Sequence, residues 1–101
     1  MRWLLLLLPL TVQAQDLKVI QINAIWNKAN TADLSRIRGC SYTLAWLEDQ
    51  PREIQQSITS VPTVVIYKDD RPVWQYAAGI DLKLKATREE IQAKVIELAT
   101  N

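Results

Sequence analysis

The order of strand-forming and helix-forming stretches most constrains the fold of this chain. Leu17–Ile25 is rich in β-branched residues and partly apolar on both faces, which predicts a central strand covered on two sides. Cys40–Leu47 and Val64–Tyr67 predict two more strands, and Val73–Ala78 predicts a fourth. A sheet with several strands is therefore the expected framework.

Three helices are expected between and after these strands. The first is predicted over about Ala32 to Arg38, capped by Asn30 or Thr31 and ended by Gly39. The second follows Pro51 and covers about Arg52 to Thr59. The third covers about Thr87 to Ala99 and begins with a Thr87-x-x-Glu90 capping box. Its predicted apolar stripe consists of Ile91, Val95, Ile96 and Leu98.

The combined order is β-α-β-α-β-β-α, which indicates an α/β fold. A β-α-β unit implies a parallel pair with a right-handed crossover, and the last two strands form an antiparallel hairpin through Lys68-Asp69-Asp70-Arg71. Pro72 cannot donate a ladder hydrogen bond, so the fourth strand should lie at an edge. We expect a mixed four-stranded sheet flanked by helices, in the one domain that 101 residues allow.

The first fourteen residues have the pattern of a secretory signal peptide. Arg2 precedes the apolar run Trp3–Leu10, and small residues then predict cleavage after Ala14 or Gln15. The run is too short to span a bilayer, which takes about 20 residues. We predict residues 1–14 as the signal peptide of an exported protein, periplasmic or secreted, and 15–101 as its domain. An uncleaved anchor and a buried N-terminal strand are the alternatives.

The charge balance argues against a nucleic-acid partner. Removing Arg2 leaves 11 of the 12 basic residues, which equals the 11 acidic ones. The basic residues are scattered, so the chain offers no basic patch for nucleic acid or anionic lipid. The expected partner is another protein, with the oligomeric state left open.

The residue types for common catalytic sites are scarce. Cys40 is the one cysteine, so no intramolecular disulfide can form, and histidine is absent. The lack of histidine removes the usual general base and the commonest transition-metal ligand. Asp69-Asp70 is interpreted as a turn, because two adjacent carboxylates without convergent partners bind metal weakly. No cofactor or metal is predicted.

Several ordered stretches resemble the thioredoxin-like family. Ala24-Ile25-Trp26-Asn27-Lys28-Ala29-Asn30 is similar to the family signature Ala-x-Trp-Cys-Gly-Pro-Cys, with both cysteines replaced by asparagine. Asp49-Gln50-Pro51 resembles the Asp-x-x-Pro region, one residue shorter. The run from Ser60 to Asp70, which contains Val61-Pro62-Thr63, resembles the family's Ile-Pro-Thr strand and hairpin, and Gly79 follows at the expected place. The likeness covers residues 17–99 and implies a minimal thioredoxin-like core.

This resemblance identifies Asn27, Lys28, Ala29 and Asn30 as a former redox motif. Dithiol exchange needs a thiolate and a resolving thiol one helical turn away, and asparagine can serve as neither. The family's buried acid would fall at Gln21, which cannot move a proton. The resemblance therefore implies a protein without the usual disulfide-exchange activity, and no catalytic residue is predicted.

The same resemblance marks a candidate peptide-binding position. It implies a cis Pro62 facing the motif loop, with Val61 offering backbone groups to an extended segment. Pro62 then either supports binding or only shapes the turn, and Trp26 either contacts a partner or packs over the loop. Trp46 and Trp74 are interpreted as sheet packing because both lie inside strand patterns.

Three hypotheses for function follow. The first is a redox-inactive exported thioredoxin-like protein that acts as a protein-binding or accessory module. The second is a structural subunit of a larger assembly, for example a viral one. The third is a thiol enzyme that uses Cys40, although a free cysteine is more often a small buried apolar residue.

Overall fold

A computed structural model of the chain describes residues 16–100. The signal peptide predicted over 1–14, with its cleavage position, lies outside these residues. The regular elements in chain order are strand β1 (Leu17–Asn23), a 3-10 helix (Ile25–Asn30), strand β2 (Ser41–Trp46), a short 3-10 helix (Leu47–Asp49), helix α1 (Arg52–Ser57), strands β3 (Thr63–Lys68) and β4 (Arg71–Ala77), and helix α2 (Arg88–Thr100).

The four strands form one mixed sheet in the order β2-β1-β3-β4. β1 pairs parallel with β2, while β3 lies antiparallel to both β1 and β4. The predicted sheet, its parallel crossover and its C-terminal hairpin are thus confirmed. β4 is an edge strand, as Pro72 predicts.

The β3–β4 hairpin turns at Asp69 and Asp70. Both residues have positive φ angles, 53° and 67°. This backbone matches the twist of two antiparallel strands joined by a two-residue loop. The turn is tied to the start of β1, because the Asp69 N–H donates to the Asp16 carbonyl at 2.9 Å.

The core lies between one face of the sheet and the elements that cover it. Alternate residues of β1 and β3 point to this face, as the period of a strand requires. Helix α2 contributes two side chains without exposed surface, and the segment between the first 3-10 helix and β2 contributes two buried side chains, Leu34 and Ile37. The buried cluster consists of Leu17, Val19, Leu34, Ile37, Val64, Ile66, Ile91 and Val95.

The helix predicted over about residues 32–38 is wrong: this segment is irregular. The Asp33 carboxylate accepts hydrogen bonds from the N–H and the hydroxyl of Ser35, a local arrangement that competes with a helix. The side-chain amide of Gln92 bonds to both the N–H and the carbonyl of Arg38, at 2.8 and 2.9 Å. Side chains therefore satisfy backbone groups that a helix would have paired.

The two α-helices differ in their relation to the sheet. All six residues of α1 are exposed, and its interior carries one large apolar residue, Ile54. Helix α2 begins with the predicted capping box, since the Glu90 N–H donates to the Thr87 hydroxyl and the Thr87 N–H donates to the Glu90 carboxylate. No helix among residues 16–100 is long and apolar enough to cross a membrane.

The stripe predicted for α2 is wrong at one position. Ile91 and Val95 have no exposed surface, whereas 56% of Ile96 is exposed. Consecutive residues lie about 100° apart around a helix, so the neighbour of a fully buried residue turns away from the core.

Candidate functional site

The candidate site lies where β1 ends. The chain leaves the sheet at Asn23 and enters the 3-10 helix Ile25–Asn30, which is kinked at Asn27. The peptide bond between Val61 and Pro62 is cis, and β3 begins directly after it. Because Ile22 pairs with Thr63 in the antiparallel β1–β3 ladder, the end of β1 and Pro62 lie side by side. The sheet register therefore brings residues 27–30 next to Val61 and Pro62.

Asn27 is buried and joins three segments of the chain. Its side-chain amide donates to the Asn23 side-chain oxygen at 3.0 Å and to the Leu82 carbonyl at 3.1 Å. The Val61 carbonyl lies 3.4 Å from the same nitrogen and accepts a third, longer bond. Asn27, which aligns with the motif's first cysteine, thus joins the loop to Val61 and Leu82 of the same chain.

Asn23 and Asn30 complete this amide network. The side-chain nitrogen of Asn23 donates to the Asn27 carbonyl and to the Thr31 hydroxyl, at 3.0 and 2.9 Å. Its oxygen accepts from the Ala24 N–H as well as from Asn27, so all four hydrogen-bonding positions of this buried amide are used. Asn30 donates to the Asn27 side-chain oxygen at 2.8 Å. The two motif positions are therefore in direct side-chain contact through a hydrogen bond.

Gln21, which aligns with the family's buried acid, uses its side chain in hydrogen bonds to Ala32 and Tyr42. It has no exposed surface. Its side-chain oxygen accepts from the Ala32 N–H at 2.9 Å, and its nitrogen donates to the Ala32 carbonyl at 3.0 Å and to the Tyr42 hydroxyl at 2.7 Å. This side chain fastens the irregular segment to the sheet.

A shallow hollow opens beside the amide network. Its volume is about 230 Å³, and its lining residues are Trp26, Leu47, Ile58, Thr59, Ser60, Val61 and Leu82. Trp26 is 67% exposed, whereas Val61 is 4% exposed. Among the hydrogen bonds of residues 16–100, none uses the Val61 N–H. An exposed indole and an unpaired backbone donor therefore meet at a largely apolar depression.

Cys40 lies at the other end of the sheet. It precedes Ser41, which pairs with Lys18 near the start of β1, whereas the former motif follows the end of β1. Cys40 is half-buried and packs against the core, and burial raises the pKa of its thiol. Its thiolate is thus disfavoured, which makes the thiol a weaker nucleophile at neutral pH.

A larger hollow of about 810 Å³ lies between α2 and the irregular segment. It shares no residue with the candidate site. Its lining residues are Arg36, Arg38, Gly39, Arg88, Glu89, Gln92, Ala93 and Ile96. No group of three His, Cys, Asp or Glu side chains within 16–100 is placed to hold a metal ion.

The sequence prediction missed three contributors to the site. Asn23 looked like the end of an apolar strand, and Leu82 lies beyond the motifs that carry the resemblance. The Glu48 carboxylate accepts a hydrogen bond from the Ile25 N–H, at 3.0 and 3.1 Å to its two oxygens. An asparagine between a buried strand and a tight turn was the one available signal, because short polar side chains favour such positions.

No family model and no curated protein sequence matches the chain, whereas several solved structures have a similar fold. Among solved structures, a point variant of the Halobacterium salinarum thioredoxin is similar with a TM-score of 0.61 and 12% identity, over 81% of this chain and 74% of that one.

Two further thioredoxin structures are similar to this chain. Thioredoxin-2 of a malaria parasite, described as a component of protein secretion machinery, gives a TM-score of 0.60 and 13% identity over 82% and 84% of the two chains. The germline-specific thioredoxin Deadhead of Drosophila melanogaster gives 0.57 and 14% over 89% and 88%. Identities this low bear on the fold alone. The chain thus has a thioredoxin-like fold, with a single cysteine and without the Cys-x-x-Cys motif.

Proposed function

We propose that this chain is an exported, redox-inactive thioredoxin-like protein that binds an extended segment of another protein at the hollow beside Trp26. The observation that carries the proposal is the exposed Trp26 indole next to Asn27, whose buried side chain is held by hydrogen bonds to Asn23, Asn30 and Leu82. Indole rings contribute strongly to protein contacts when a rigid surface presents them.

The loss of redox chemistry is supported by the roles of the replacing residues. Asn27 and Asn30 carry no ionisable group, and their side chains are used in hydrogen bonds to each other and from Asn27 to the Leu82 carbonyl. Cys40 lies at the opposite end of β1 and is half-buried. The purified chain should not reduce insulin disulfides above a buffer blank, and turnover above that blank would contradict this part of the proposal.

Binding of an extended segment is supported by the backbone at Val61. Its N–H has no partner among residues 16–100, while its carbonyl makes only the long 3.4 Å contact with Asn27. A peptide that lies along Val61 could pair with this N–H and rest an apolar side chain on Trp26. Leu47 and Ile58 supply further apolar surface to the hollow.

The binding experiment uses reduced, carboxymethylated α-lactalbumin, an unfolded polypeptide, as the probe. Amide shifts in ¹⁵N-labelled protein should change around Trp26, Val61 and Leu82, and Trp26→Ala should weaken binding at least tenfold. Trp74→Ala is the matched control, because Trp74 is 45% exposed on β4 and outside the hollow. Shift changes away from the hollow, or equal loss in both variants, would contradict the proposed site.

Export is supported by the pattern of the first fourteen residues and has its own test. The N-terminus of the protein purified from its native cells should begin at Gln15 or Asp16 by mass spectrometry. A native chain that retains Met1 would contradict cleavage.

A further inference from the structure

The two edges of the sheet are protected very differently. β2 and β4 are the edge strands, and each pairs with one neighbour within residues 16–100. An edge strand presents unpaired N–H and carbonyl groups, which attract another strand unless something blocks the approach. The residues of the two edges therefore indicate which of them is open to pairing.

β4 carries the features that block edge pairing. Arg71 and Pro72 occupy its first two positions, and proline lacks the N–H that a ladder needs. The register of β3 with β4 is irregular between Ile66 and Tyr67, as in a bulge. The Lys94 ammonium lies 3.9 Å from the centre of the Trp74 ring, so a charge also borders this strand.

β2 has none of these features. Its sequence, Ser-Tyr-Thr-Leu-Ala-Trp, contains no charged residue, proline or glycine, and it pairs with β1 in unbroken register from Ser41 to Trp46. Ser41, Thr43 and Leu44 are exposed. This strand is uncharged and regular, and half of its residues favour strands, which is a composition that promotes edge-to-edge pairing.

Charges at the two ends of β2 identify the strand that fits it. Arg36 and Arg38 precede the strand, and Glu48 and Asp49 follow it. Arg38 and Asp49 are exposed, and none of the ion pairs within 16–100 uses either one. The strand therefore has a basic end and an acidic end, with an uncharged stretch between them.

We propose that β2 pairs antiparallel with β2 of a second copy of this chain, across a two-fold axis at Thr43, so that Thr43 of one copy lies opposite Thr43 of the other. The basic end of each strand then lies next to the acidic end of the other, and Arg38 lies near Asp49 of the second copy. Parallel pairing would instead place like charges together, which is unfavourable. The dimer has one continuous sheet, made of the two four-stranded sheets, and its contact is isologous as a two-fold axis requires.

The first test is the mass of the full chain by analytical ultracentrifugation over a concentration series. A monomer–dimer equilibrium is expected. Thr43→Lys should weaken it at least tenfold, because it places two lysines beside the axis in the middle of the paired strands. Gln75→Lys makes the same kind of change at an exposed position on β4 and should leave the equilibrium unchanged.

The second test is a charge exchange, which also covers a Thr43→Lys variant that fails to fold. Arg38→Asp and Asp49→Arg should each weaken the dimer, and the double variant should restore it, with circular dichroism unchanged throughout. A chain that remains monomeric at all concentrations would overturn the proposal. A dimer whose affinity is unchanged by Thr43→Lys and by the Arg38/Asp49 exchange would also overturn the proposal. Its association would then be attributed to the apolar stretch Trp3–Leu10.

Discussion

The side-chain amide of Asn27 donates a 3.0 Å hydrogen bond to the side-chain oxygen of Asn23, and both side chains are buried. Through this contact, and through the bond from Asn30, the loop after β1 is held by uncharged amides where a redox protein of this fold would carry thiols. The amides at these positions therefore take up buried hydrogen bonds that thiols would not make.

Asn27→Ala should destabilise the protein. It leaves one oxygen position of the buried Asn23 side chain and the part-buried Leu82 carbonyl without their donor, and an orphaned buried group costs about 1–3 kcal/mol. Urea unfolding followed by circular dichroism measures the change. Lys28→Ala is the control, since its side chain is exposed and should alter the free energy of unfolding by less than about 0.5 kcal/mol. Equal stability of the two variants would contradict a structural role for the network.

The double variant Asn27→Cys/Asn30→Cys should form an internal disulfide. The two side chains are in contact, with 2.8 Å between the Asn30 nitrogen and the Asn27 oxygen. After air oxidation, a thiol count in denaturant should find only Cys40 free. Asn27→Cys/Ala29→Cys is the control and should keep its thiols, because residues two apart on a helical turn do not face each other: Asn27 is buried and Ala29 is exposed. Free thiols at both 27 and 30 would show that the loop does not hold these positions together.

Gln21→Ala should cost more stability than Tyr42→Phe. The first change removes the partners of both Ala32 backbone groups and of the Tyr42 hydroxyl, whereas the second removes only the hydroxyl contact. Unpaired buried groups cost about 1–3 kcal/mol each, so the two free energies of unfolding should differ by at least about 1 kcal/mol. Thermal and urea denaturation of both variants measure the difference. Similar values would indicate that water replaces Gln21 at Ala32.

Cys40 should react slowly with iodoacetamide at neutral pH. Burial raises the pKa of its thiol, so the reactive thiolate is a smaller fraction at each pH than in free cysteine. The labelling rate, followed by mass spectrometry between pH 7 and 10, should rise at a higher pH than the rate for glutathione. A rate equal to that of glutathione at pH 7 would favour the hypothesis of a thiol enzyme.

The sequence was sufficient to predict the four strands of the mixed sheet, from runs such as Leu17–Ile25, and the edge position of β4, from Pro72. It was insufficient for the segment before β2. There, the start and stop signals of a helix, Asn30 or Thr31 and Gly39, were overridden by hydrogen bonds from Gln21 and Gln92, which lie outside the segment. Such long-range side-chain bonds leave no periodic signal.

The residues of the candidate site were likewise predicted only in part. The motif positions Asn27 and Asn30 were predicted from the resemblance, and the structure places them together. The contribution of Leu82 depends on how the chain after β4 returns to the loop, so no local pattern announces it. The peptide-binding role of Trp26 and Val61 stays a prediction, with the hollow beside them as its physical basis.

Two glutamine side chains attach the irregular segment before β2 to the rest of the fold. Gln21 is hydrogen-bonded to Ala32 near the beginning of the segment, and Gln92 is hydrogen-bonded to Arg38 near its end. The residues between these two attachment points are therefore held without pairing to a strand. Ser35 and Arg36 are exposed between the attachment points. Insertions between Ser35 and Arg36 would lengthen the loop without shifting a strand, so this segment should tolerate changes in length.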